Sequence, residues 1–574
     1  GYSASDIGER FQWTYPIVFD PQDKQVLYVS SQHVFRTANG GESWERISPD
    51  LTRHDPVTLA ASGGPITLDQ TGVETYGTVF ALAPSRLEKD VIWAGSDDGL
   101  VHVTRDNGRT WQNVTPKSFP KYLKITTIED SPHRPGTAFL AGHMFLLDDM
   151  RPYLFRTTDY GRHWTPITKG IPSDEIVRSV REDTVRPGLL FAGTERGVWV
   201  SFDDGQSWQK LQRNLPATQV ADLAVTDHDL VVGTHGRSFW VLDNIDVLRQ
   251  LDGTSGNKAL QLFRPAPAVR GVDPGVIIDY YLPATPAKLT IDILDPAGKV
   301  IRSFEGAPEP AKKEDEAGGG DDEDGEPKPA PKPTIKPGLN RYTWDMRYPG
   351  FTEFKGMILW AARNRGALAV PGQYQVRLTV DGKAQSQPAE IRLDPRLGNV
   401  APADLQKRFE LASQIREKVS QANEAVLMIR GVRSQIEERV KQARDPATRK
   451  AGERLEQRLR AIEGRIYQVQ NRSRQDPLNY PIMLNNKLAA LAGVVESGEA
   501  APTQQSYGVF ADLSKQLDRE LAALEHLLTT DLPALNALLV QAGLAPVERK
   551  PEAAVEPGTA LGPGGEEDEE QEGE

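Results

Sequence analysis

The sequence predicts a mainly-β chain: β-propeller blades first, then a β-sandwich, then an α-helical bundle that ends in a disordered acidic tail. Three observations predict it. One eight-residue frame, Ser/Thr-x-Asp-x-Gly-x-Ser/Thr-Trp, occurs four times before residue 209. From Leu260 to Leu393 apolar residues alternate with a period of two, the mark of half-buried strands. Beyond residue 402 they recur at three- and four-residue steps, the mark of helices.

The first element is the repeat. Its copies run Thr37–Trp44, Thr104–Trp111, Thr157–Trp164 and Ser201–Trp208, with Asn39, Asp106, Asp159 and Asp203 at the third position. A carboxylate or amide there can accept from backbone N–H groups further on and fold a turn around itself. The Gly is placed where positive φ is needed. Trp44, Trp111, Trp164 and Trp208 open the following strand with a large apolar surface to bury. Strand-like runs such as Gly197-Val198-Trp199-Val200 precede the frame, so it reads as a hairpin turn. A metal loop made of these side chains has too few carboxylates for an oxygen cage, so no metal or other cofactor is expected.

Successive copies are 67, 53 and 44 residues apart, a spacing that fits four-stranded blades. The shortest unit predicts strands at Ile176–Glu182, Leu189–Gly193, Gly197–Ser201 and Trp208–Leu211. A fifth unit, Val220–Thr226, Asp229–Gly233 and Ser238–Leu242, has no frame and no fourth strand. The propeller region is therefore 1–246, about five blades. The chain opens at Gly1, mid-phrase in a repeat, which predicts that it continues a larger propeller and that any signal peptide lies outside it.

The octapeptides resemble the Asp boxes, or BNR repeats, of sialidases, sortilin-type receptors and two-propeller endoglucanases. Longer phrases are similar to large bacterial sortilin-like proteins labelled "glycosyl hydrolase, BNR repeat". These phrases are Gln12-Trp13-Thr14-Tyr15-Pro16-Ile17, Val91–Leu100 and Gly233-Thr234-His235-Gly236-Arg237-Ser238-Phe239-Trp240. The resemblance covers nearly the whole chain and implies the propeller fold. For activity it implies little, because the label follows the repeat.

After a Gly/Asp-containing linker at 247–258, residues 247–395 form the sandwich. Gly338–Asp345 with the phrase Pro371-Gly372-Gln373-Tyr374 resembles immunoglobulin-like sandwiches of bacterial extracellular and flagellar-hook proteins. The acidic, Pro- and Gly-rich run 305–333 is expected as a disordered loop between two strands. Residues 396–545 are the bundle. Leu405, Ala412, Ile415, Val419, Val426 and Ile436 mark one helix over 403–443. Asp445-Pro446 breaks it, a second runs to about Arg472, then come Leu478–Val495 and a third long helix near 503–528. Residues 546–574 are expected as a disordered acidic tail.

The formal charge of −13 is local: 305–333 carries −6 and 546–574 carries −8, which leaves the remainder nearly neutral. No basic stripe is available for nucleic acid. Cysteine is absent, which excludes disulfides, thiolate catalysis and Cys-based zinc sites. No apolar run reaches membrane-spanning length.

Candidate chemistry comes from one propeller face, where the connections between second and third strands meet the long loop 50–75. The acids Asp97, Asp98, Asp148 and Asp149 are the candidate catalytic groups. Asp69, Glu74, Tyr76, Glu195, His235 and Arg237 are the candidate ligand-binding groups, with His54 and Arg196 beside them. Arg178, Arg181, Glu182 and Asp183 lie on an inner strand, where alternation sends half of them away from the channel. A glycosidase needs two carboxyls about 5–5.5 Å or about 6.5–9.5 Å apart, and neighbours such as Asp97 and Asp98 point apart, so a working pair must join two blades. Of the ten Trp, four belong to the repeats and Trp93, Trp199 and Trp240 to strands, so few remain as a stacking platform for sugars. The sequence thus points to a secreted or periplasmic scaffold for a glycan or peptide, with the bundle available to a protein partner. A glycoside hydrolase and a sortilin-like peptide receptor are the alternatives.

Overall fold

The computed structural model describes residues 8–60, 62–63, 65–69, 72–251, 259–308, 331–473 and 475–555. The chain divides into two compact units, Gly1–Asn257 and Lys258–Glu574.

The first unit holds four four-stranded antiparallel sheets and one of three strands, each in sequence order. These are five blades. Their innermost strands are Ile17–Phe19, Val79–Pro84, Lys124–Asp130, Val177–Glu182 and Val220–Val225. The fifth blade ends with Phe239–Leu242 and among the described residues has no fourth strand, as the missing octapeptide implies. The apolar core lies between blades rather than within them. Val26, Tyr28 and Val34 meet Leu82 and Ile92, Trp93 and Val103 meet Ile125 and Leu140, Phe139 and Leu154 meet Val180 and Trp199, and Phe191 and Val200 meet Leu223 and Val232. The faces at either end have no such neighbour among the described residues. Ile17 and Phe19 are 60% and 62% exposed on the first blade, and Phe239 is 81% exposed on the last.

Each octapeptide builds the same turn. Asp203 accepts from the Ser207 N–H at 2.9 Å and the Ser207 hydroxyl at 2.6 Å, while the Ser201 hydroxyl donates to it at 2.8 Å. His163 substitutes Nδ1 for that hydroxyl, 2.6 Å from Asp159, and Asn39 donates to the Ser43 hydroxyl at 2.9 Å. The Trp does more than open the next strand. The indole N–H of Trp111, Trp164 and Trp208 donates to Ile47, Val114 and Ile167 of the preceding blade. Trp44, on the first blade, is 43% exposed.

The expected linker begins as a helix, α1 (Asp246–Gln250). Composition concealed this, because the helix is held from a distance: Arg249 pairs with buried Asp183 at 2.8 Å and with Asp246 at 2.8 Å. Residues 252–258 lie outside the described residues.

In the second unit, Gln261–Leu262, Val276–Leu282 and Gly338–Trp344 form one sheet. Ala268–Arg270, Lys383–Leu393, Gly372–Val380, Leu289–Leu294 and Val300–Glu305 form the other. Alternate residues such as Val276, Ile278, Tyr280, Ile291, Trp344 and Val376 fill the space between them. The helices are α2 (Pro402–Gln442), α3 (Pro446–Ile466), α4 (Leu484–Val495), α5 (Gln504–His526) and α6 (Leu532–Gln541). Asp445 caps α3 by accepting from the Thr448 N–H at 2.8 Å, with Pro446 in the first turn, so the Asp-Pro pair that ends one helix starts the next. Among the described residues no helix is long and apolar enough to cross a membrane.

The sandwich and helices share one compact unit, because Phe351, Phe354 and Ala367 of the segment after Trp344 are buried in the helical core. The tail expected to be disordered from 546 is ordered to residue 555. Val547 is buried, the Glu552 N–H donates to the Leu427 carbonyl at 3.0 Å, and the Val555 N–H donates to Glu353 at 3.2 Å. Gly431 of α2 permits the crossing, since a Cβ there would meet the Lys550 carbonyl at 2.3 Å. The remainder of that tail, and residues 309–330 of the acidic loop, lie outside the described residues.

Candidate functional site: the propeller channel

A cavity of about 550 Å³ opens where the inner strands converge. Its polar walls carry Lys124, His143, Arg178, Arg181, Asp222 and His235. Simple alternation does not explain why both Arg178 and Arg181, three residues apart, face it. The inner strands of blades two to five are each bulged at the same place, between Val79 and Ala81, Ile125 and Thr127, Val177 and Ser179, and Val220 and Asp222. The extra residue breaks the two-residue period and re-aims a side chain. Phe80, Thr126, Arg178 and Ala221, the bulge residues, all line the cavity.

The cavity wall is rich in cations. Arg178 donates to Glu195 at 2.7 Å, and Arg181 donates to Asp222 at 2.7 Å. Arg181 also lies 3.5 Å from Glu129, whose carboxyl burial pushes up to about 7, so that partner is only partly charged at neutral pH. Lys124 has no carboxylate within ion-pair distance among the described residues. Its ammonium sits 3.8 Å from the centre of the Phe80 ring, a cation–π contact. Burial lowers the Lys124 pKa, against the opposing field of Asp97. His143 is neutral: burial, with Arg178 and Lys124 close by, pushes its imidazole down to about 3.

The four candidate catalytic acids are not gathered in this cavity. Asp97 accepts from the N–H groups of Gly77 and Thr78 and from the Thr78 hydroxyl, at 3.0, 2.8 and 2.9 Å. Asp98 accepts from the Arg53 N–H at 2.7 Å and the Ser96 hydroxyl at 2.6 Å. Both are buried, and together they pin the two ends of the long loop to the second blade. Asp148 is exposed at a left-handed turn with φ 59°. Asp149 is held by Arg151 and by the Tyr153 hydroxyl at 2.6 Å, and Arg151 keeps its carboxyl far below the usual range.

Of the candidate binding groups whose side chains are described, only His235 lines the cavity; Glu195 reaches it indirectly through Arg178. Glu74 accepts from the Trp13 indole at 2.8 Å. Burial, then Asp97 and Asp98, raise the Tyr76 hydroxyl far above its ordinary pKa, the reverse of what a nucleophile needs. Arg237 is exposed in the turn after Thr234, where its carbonyl accepts from the Trp240 indole at 2.8 Å. Asp69 stands on a two-residue strand, and its side chain lies outside the described residues. Asp183 and Glu182 point away from the channel, to Arg249 and Arg134. Lys124, Phe80, Thr126 and His143 were missed from sequence. The available signal was a Lys opening an otherwise buried strand.

No family model matches the chain, and no curated protein matches it. Among solved structures the chain is similar to β-propeller proteins. A GH74 xyloglucanase from Xanthomonas campestris matches at 15% identity over 67% of this chain and 59% of its own, with a TM-score of 0.32. An ancestral GH74 enzyme matches at 16% identity over 52% of this chain and 38% of its own, TM-score 0.29. YCF48 bound to D1 peptide matches at 14% identity over 49% of this chain and 80% of its own, TM-score 0.27. The match thus spans about three-fifths of the xyloglucanase, and likenesses this remote leave the chemistry to be read from the site itself.

Proposed function

We propose that this chain is an extracytoplasmic β-propeller binding scaffold of the Asp-box (BNR) kind, whose channel takes a glycan or peptide ligand by an acidic group. Lys124 carries the reading: a half-buried ammonium with no carboxylate partner among the described residues, beside two arginines in an open cavity, is a charge that a ligand anion would complete. The exposed apolar faces of the first and last blades support further blades or a partner covering them. The hydrolase alternative has weaker support. Asp222 is the one carboxylate lining the cavity among the described residues, and Arg181 holds it, whereas hydrolysis needs two.

Calorimetric titration of the full chain with oligouronates and acidic peptides, beside neutral xyloglucan oligosaccharides and amidated peptides, tests the reading. The acidic ligands should bind better, and K124Q should weaken them about tenfold, the scale of one charge-assisted contact. Equal binding by K124Q, or preference for the neutral ligands, refutes it. Release of reducing ends from xyloglucan or β-glucans would instead make the protein a hydrolase.

A further inference from the structure

We infer that the second unit carries a separate binding site for a small polyanion, formed where the loop 360–366 faces helix α4. The cavity there is about 500 Å³, and Arg347, Arg363, Arg365 and Glu496 supply its charged walls. Glu496, the one carboxylate among them, is fully engaged: it accepts from the Arg347 guanidinium at 2.8 Å and from the Leu368 N–H at 2.9 Å. Arg347 also donates to the Gly366 carbonyl at 2.8 Å. Arg363 and Arg365 are exposed, and among the described residues neither guanidinium has a hydrogen-bond or ion-pair partner.

These two free heads stand on a backbone that is held firmly. Buried Asn486 clamps Trp360 from both sides, accepting from its N–H at 2.7 Å and donating to its carbonyl at 2.7 Å. Asn364 does the same to Phe351, at 2.7 and 2.9 Å. Ala361 is held at φ 50°, and at Gly366 a Cβ would meet the Tyr348 carbonyl at 1.8 Å. A loop fixed this tightly presents its two arginines with little backbone entropy left to lose on binding. The opposite wall, Ala492 and Gly493 on α4, is small, and a Cβ at Gly493 would meet no atom within 4 Å. The geometry therefore offers forked donors on one side and room on the other, which suits a ligand with two or more carboxylate or phosphate groups.

The test is calorimetry on the full chain with citrate and with pyrophosphate, against glycerol as the neutral control. Both anions, or one of them, should bind, and the preference identifies the ligand as carboxylate or phosphate. The R363Q/R365Q double variant should lose affinity by about tenfold or more, as expected for charge-assisted fork contacts. G493F fills the space without touching any charge; it should abolish binding while the melting temperature holds, since Gly is the poorer helix former. The variants are read in a K124Q background, which removes the channel's own cation and so separates this site from the channel. In that background, absence of binding by both anions, or binding that survives R363Q/R365Q or G493F, overturns the inference.

Discussion

Replacing Asp97 with Ala removes the acceptor of three hydrogen bonds at a position 2% exposed. The N–H groups of Gly77 and Thr78, 3.0 and 2.8 Å from the carboxylate, are left buried without a partner, and the Thr78 hydroxyl loses its acceptor. Each stranded buried donor costs about 1–3 kcal/mol, so D97A should lose roughly 2–5 kcal/mol. D97N keeps the oxygen that accepts from both N–H groups and can donate to the Thr78 hydroxyl, so it should cost under about 1 kcal/mol at pH 5. The two variants also differ in pH dependence. Burial raises the Asp97 carboxyl to about 6 in the folded chain, against about 3.9 unfolded. Between those values the folded state binds more protons than the unfolded one, so this group's contribution falls as pH rises through the window. D97N lacks that term and should gain on wild type by about 1–3 kcal/mol between pH 4 and pH 7. Urea midpoints followed by Trp fluorescence report on this unit, which holds eight of the ten Trp. A D97A protein that unfolds like wild type but has lost ligand binding or turnover would refute the structural role.

Two further outcomes test the blade architecture. D203A should lose about 1–2 kcal/mol through its three turn contacts and leave ligand affinity unchanged, because no residue of the turn lines the cavity; retained melting temperature with lost binding would contradict it. Gly108 and Gly41 occupy the same position of two octapeptides, at φ 86° and 90°. G41A meets only the positive-φ cost of about 1 kcal/mol, because its Cβ comes no nearer than 3.8 Å to a neighbour. G108A adds a Cβ 2.5 Å from the Ile47 carbonyl of the preceding blade, so its midpoint should fall clearly further; equal losses would mean that the turns do not seat one blade on the next.

The elements legible in the chain were those whose causes are local. The octapeptide turn closes on itself through contacts two and four residues apart, so Asp203, Ser201 and Ser207 announce it wherever they occur together. Helix α2 is written in its three- and four-residue apolar steps, and its end in Asp445-Pro446, because helical geometry is set within each turn. That the last blade has three strands among the described residues was visible as a missing octapeptide for the same reason. What the fold decided involves partners far along the chain. Asp97 and Asp98 look like a free acidic pair until residues 19 to 45 positions earlier turn out to be their donors. Arg178 and Arg181 share the channel only because a bulge, which requires the paired strand, resets the alternation between them. Residues 546–555 have the composition of a disordered tail, yet Val547 finds a core and Glu552 finds the Leu427 carbonyl 125 positions away. Local chemistry specified the turns and helices; which charges are satisfied, and which are left to meet a ligand, depended on groups that only folding brings together.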